Sequence, residues 1–123
     1  MASETEFSPE LTALERLVLD AAIGHDDQFA DRFNAQVRQA KVVVRTPSGV
    51  GFVTKLQIPD DLRVTDMPPD GSLPLVIGEH PDLPSGAEFV LQVKHGRINS
   101  IEAFCHEGMW PNDETLFRIE EKK

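Results

Sequence analysis

Apolar residues recur every three or four positions in the first third of the chain and every second position after it. These are the periods of an amphipathic helix and of a half-buried strand. Leu11, Leu14, Val18 and Ala21/Ala22 make one helical stripe. Ser8 suits the N-cap and Pro9 the first helical position, where a missing N–H costs nothing, and Gly24 closes the helix. A second helix is expected from Asp26 or Asp27, with Phe29, Phe33, Val37 and Ala40 on one face. Gln28, Asp31, Arg32, Gln36 and Arg38 or Gln39 are assigned to the solvent side.

From Val42 the period becomes two and β-branched residues are common. Lys41 to Thr46 and Val50 to Ile58 flank Pro47-Ser48-Gly49 and read as a hairpin. Val50, Phe52, Thr54, Leu56 and Ile58 share the face that should meet the core. Pro59 to Ser72 holds three prolines and four aspartates and reads as a long loop. Leu73 to Gly78 is a short strand that Pro74 delays or confines to an edge.

Ala87 to Lys94 and Arg97 to Cys105 are joined by His95-Gly96, a two-residue connection that suits a primed turn. Strict pairing across it would set Leu91 against Ser100 and Phe89 against Glu102. One extra residue near Asn99-Ser100 instead brings Leu91 to Ile101, Phe89 to Ala103 and Ala87 to Cys105, so a bulge is predicted there. Beyond an irregular stretch from His106 to Pro111, Asn112 or Asp113 could cap a helical turn or lead into a last strand through Leu116, Phe117 and Ile119. The tail from Glu120 to Lys123 should fray. The pattern predicts one α+β domain over residues 1–123, with two N-terminal helices packed on one face of an antiparallel β-meander of about five strands.

The Gly-Val-Gly-Phe run at Gly49 to Phe52, the run Gly86-Ala87-Glu88-Phe89-Val90-Leu91 and the closing stretch Ile101 to Trp110-Pro111 together resemble a family of small uncharacterised bacterial α+β proteins. In that family a Gly-Val-Gly-Phe strand is followed by a two-residue hairpin and a strand ending in Trp-Pro. The likeness covers Val42 to Pro111 and rests on packing and turn motifs. Here Ala103 stands where the family tends to have Gly, and Cys105-His106-Glu107 where it tends to have Thr-Tyr-Asp. The resemblance implies the sheet and carries no activity with it.

Composition narrows the functions. With 123 residues, 40% hydrophobic and 27% charged, the chain is an ordinary globular length, and no run reaches the roughly 20 apolar residues of a membrane helix. Nothing at the start resembles a signal peptide. The lone Cys105 has no internal disulfide partner, so a reducing cytoplasm is the expected location. A net charge of −9, from 21 acids against 12 bases, repels a phosphate backbone, so nucleic acid is not an expected partner.

Cys105, His106 and Glu107 supply a thiol, an imidazole and a carboxylate. Strand neighbours point to opposite faces, however, and Cys105 falls on the core side, so no catalytic residue is assigned. His25, His80, His95 and His106 with Asp26, Asp27, Glu79, Asp82 and Glu107 show no metal-ligand spacing, and no metal or other cofactor is expected. The aspartates of the long loop lack a calcium pattern, and the Gly49–Gly51 turn lacks the Lys-Ser/Thr and helix of a phosphate cradle. Trp110, beside Met109 and Pro111, is either a plug over the end of the sheet or a binding anchor. Phe104, His106, Glu107 and Met109 complete the candidate binding set.

Lys94, Arg97, Gln92 and Glu102, mixed with Val90 and Phe104, suggest that the uncovered sheet face is a docking surface. The expected function is a non-enzymatic protein-binding or regulatory module, immunity-type or chaperone-like, acting through its acidic surface or sheet face on another protein or on itself as a homodimer. The alternative is a small-molecule binder or small hydrolase with its site between the helices and Cys105–Trp110.

Overall fold

The computed structural model describes residues 10–24, 29–65, 70–73 and 75–119. Two helices, α1 (Ala13–Gly24) and α2 (Ala30–Gln39), precede seven strands: β1 (Lys41–Pro47), β2 (Gly51–Gln57), β3 (Asp70–Ser72), β4 (Val76–His80), β5 (Leu83–Lys94), β6 (Arg97–Cys105) and β7 (Arg118–Ile119). All pair antiparallel, in the order β1-β2-β6-β5-β4-β7, with β3 beside β5. The α+β class with the helices first is as the sequence predicts. The strands number seven because the end of the long loop, Asp70 to Ser72, pairs with Lys94 to Gln92, and Arg118–Ile119 adds a two-residue edge. β4 begins at Val76, after the proline, as its position predicts.

The β5–β6 hairpin turns on His95 (φ 54°) and Gly96 (φ 73°), both left-handed as a primed turn requires. A side chain at 96 would also strike the Val64 carbonyl oxygen at 2.0 Å. The bulge lies where the apolar pairing demands it. Gln92 pairs with Ser100 and Val93 with Ile98, leaving Asn99 as the extra residue, while Leu91 meets Ile101, Phe89 meets Ala103 and Ala87 meets Cys105. Phe89, Leu91 and Ile101 are fully buried, each stabilising the fold by roughly 1.5–3 kcal/mol through leaving water.

The helices cover that face. Val18, Leu19, Ala22, Ile23 and Phe33 are buried against it, with Phe29, Val37 and Ala40 packed at its margin. α1 starts later than Ser8, which lies outside the described residues with Pro9, Asp26, Asp27 and the tail. Its cap is Thr12, whose Oγ1 accepts from Glu15 N at 3.1 Å while Glu15 Oε1 accepts from Thr12 N at 2.9 Å, a reciprocal capping box.

Two sequence expectations need correction. Val50 sits in the β1–β2 turn and is 44% exposed, whereas Phe52, Thr54, Leu56 and Ile58 are buried as expected. Gln36, assigned to solvent, is fully buried. Its Nε2 donates to Leu62 O and Gly96 O at 2.9 Å each, and its Oε1 accepts from Ile98 N at 3.0 Å. One neutral amide thereby ties α2 to the Asp60–Leu62 turn and to the β5–β6 hairpin.

Candidate functional site

β1 carries a bulge that the sequence did not announce. Val42 pairs with Leu56 and Val44 with Lys55, so Val43 is extra. The added residue reverses the strand's alternation: Arg45, opposite Thr54, joins Val42 on the helix side, and Val44 turns to solvent, 43% exposed. Arg45 thereby reaches Glu15 on α1, donating from Nε to Oε2 and from Nη2 to Oε1, both at 2.8 Å. Thr54 Oγ1 donates to Glu15 Oε2 at 2.6 Å.

Each Glu15 oxygen thus accepts two bonds, and the side chain is only 1% exposed. Burial pushes its carboxyl up, but the bonds from Arg45, Thr54 and Thr12 outweigh that and hold it below the ordinary 4.5. The bond to Glu15 in turn raises the Arg45 guanidinium, and Glu114 adds to this across the intervening space.

That space is a cleft of about 310 Å³ lined by Thr12, Glu15, Arg45, Phe52, Trp110 and Glu114, with Pro47 and Gly51 at its margin. Trp110 is half-buried. Its ring stacks on Phe117 at 5.0 Å and meets Phe52 and Phe89 edge-on at 5.6 and 6.0 Å. Its backbone N–H donates to Gly49 O at 2.8 Å, and its Nε1 donates to Glu114 Oε2 at 2.8 Å. The indole therefore closes the end of the core and also forms a wall of the cleft. Glu114 belongs to a 3-10 turn, Glu114–Leu116, started by Asp113, whose side chain accepts from Thr115 N.

The other residues singled out in the sequence lie elsewhere. Cys105 is buried, and its Sγ–H points to Gly108 O at 3.8 Å. His106 meets Glu88 at 3.0 Å and the Phe104 ring at 5.4 Å. Glu107 accepts from the Ser85 hydroxyl. The thiol, imidazole and carboxylate therefore serve three separate local contacts. Met109 is 75% exposed. His80 is buried, with Nδ1 accepting from Asp82 N and Nε2 against Asp113 O, which assigns the ring proton to Nε2. Among the described residues no three His, Cys, Asp or Glu side chains converge to hold a metal.

On the sheet face away from the helices, three rows run across the strands: Gly51, Phe104, Glu88 and Ile77; Thr46, Val53, Glu102 and Val90; Val44, Lys55, Ser100 and Gln92. Phe104, Val90 and Val53 are half-buried, and Ile77 and Val44 are 38% and 43% exposed. Phe104 and His106 of the candidate binding set thus meet at one end of this face, while Trp110 lies on the opposite side of the sheet. The sequence missed Glu15, Arg45 and Glu114. The spacing Thr12-x-x-Glu15 was a readable capping signal, but nothing local linked Glu15 to a strand thirty residues on.

No family model, curated protein or solved structure matches the chain, and the site is read from its own geometry. Among the described residues no helix is long and apolar enough to cross a membrane.

Proposed function

We propose that the protein is a non-enzymatic binding module that docks another protein on the uncovered face of its sheet. The observation that carries this reading is the alternation on that face of Ile77, Phe104, Val90, Val53 and Val44 with Glu88, Glu102 and Lys55. An apolar centre interleaved with charge is the make-up of a reversible interface. The chain's net charge of −9 favours a partner whose own apolar patch is rimmed by lysine or arginine. The same net charge works against a second copy of the chain. An immunity-type or chaperone-like regulator is the kind of protein that uses such a surface.

The test is recovery of a stoichiometric partner at low and high salt. Val90→Asp, at the centre of the face, should abolish recovery without lowering the melting temperature by more than a few degrees. Leu17→Asp, on an exposed position of α1, should retain the partner. Retention by Val90→Asp, or equal loss from both variants, overturns the reading. The cleft beside Trp110 favours a second reading, a small-molecule site on the other side of the sheet.

A further inference from the structure

We infer that the cleft between the start of α1, the β1–β2 hairpin and Trp110 binds a small zwitterion, a free amino acid with an apolar side chain. The cleft's volume of about 310 Å³ lies at the lower end of small-molecule sites. Phe52 and Trp110 give it an aromatic wall, which an aliphatic group can cover. The two charges that decide its ligand come from different elements.

Glu15 is not one of them. Its two oxygens already hold four donors, from Thr12, Thr54 and twice from Arg45, so it acts on a ligand only by fixing the guanidinium. Arg45 uses Nε and Nη2 in its bonds to Glu15 and to Glu10 O. Nη1 carries none of these bonds, and it is the edge left for a ligand carboxylate. Glu114 accepts from the Trp110 indole through Oε2, and its Oε1 remains as an acceptor for an ammonium group. The two residues attract across the cleft while the ion pair of Arg45 is with Glu15.

A cationic edge and an anionic edge facing one aromatic wall complement a molecule bearing both charges beside an apolar group. A ligand with only one of the charges would cover the other wall and leave it without water or a partner, which costs free energy. The site is independent of the docking face, since Trp110 and Glu15 lie on the helix side of the sheet.

The chain has one tryptophan and no tyrosine, so emission excited in the indole reports this cleft alone. L-Leucine titrated into the full chain should give a saturable change in Trp110 emission and a matching calorimetric isotherm. N-acetyl-leucine, which lacks the ammonium, and leucinamide, which lacks the carboxylate, should bind more weakly by about tenfold or more. Glu114→Gln should weaken leucine by a similar factor and bring it level with N-acetyl-leucine. The analogues are tested on the unaltered protein, so the comparison holds whatever the variant does to folding. Absence of saturable binding by both methods overturns the proposal, as does binding of either capped analogue as tight as that of leucine.

Discussion

α1 and α2 are each held to the sheet by one buried polar side chain, and the two differ in kind. Glu15 on α1 is charged, 1% exposed, and depends on a guanidinium delivered by a bulged edge strand. Gln36 on α2 is neutral, fully buried, and bonded to three backbone groups of a loop and a hairpin. A charged group in the core needs a counter-charge whose loss is severe, whereas a neutral amide asks only for its hydrogen bonds. The charged contact borders the cleft and the neutral one is enclosed. The difference teaches that the side of the molecule with the open site is also the side whose stability answers to pH.

Arg45→Ala should have the largest effect, about 3–5 kcal/mol of unfolding free energy, because Glu15 stays buried without its partner; chemical denaturation measures it, and a loss smaller than that from Gln36→Leu would reverse the comparison. Gln36→Leu fits the apolar stripe yet takes the side-chain partner from Leu62 O and Ile98 N, while Gly96 O keeps its bond from Val64 N, and should cost about 2–3 kcal/mol by the same measurement.

Acid separates the two further. The Glu15 carboxyl is held below 4.5 in the folded state, so its contribution is present above the unfolded value and fades as pH falls through the lowered folded value. Denaturation midpoints followed from neutral pH to about pH 3 should flatten in Glu15→Gln relative to the unaltered protein. Gln36→Leu should keep the original pH slope at a lower stability. The smallest effect is expected from Thr12→Ala, which removes one half of the capping box and should cost about 1 kcal/mol in a thermal melt.

What the sequence revealed follows how local each signal is. The bulge at Asn99 could be read because only one offset pairs Leu91 with Ile101 and Phe89 with Ala103, and the alternatives bury Ser100 and Glu102 against them. The bulge at Val43 could not. Val42, Val43 and Val44 are alike, so the strand carries no alternation to betray a change of side. Gln36 stands three residues after Phe33, on the buried stripe by spacing, but its polarity argued for water until the loop and hairpin carbonyls were in view. Of the cleft, the sequence marked Trp110 as a binding candidate and Phe52 as a core residue; Glu15, Arg45 and Glu114 are brought together by tertiary structure across distant segments.

The extra residue in β1 does a second service. Among the described residues the main row of the sheet ends in two-residue β7 on one side and in β1 on the other. A long regular margin with valines turned outward would offer itself as a template on which further chains could stack. The irregularity at Val43 interrupts the repeat that such stacking requires, so the residue that aims a cation at α1 also blunts this edge of the sheet.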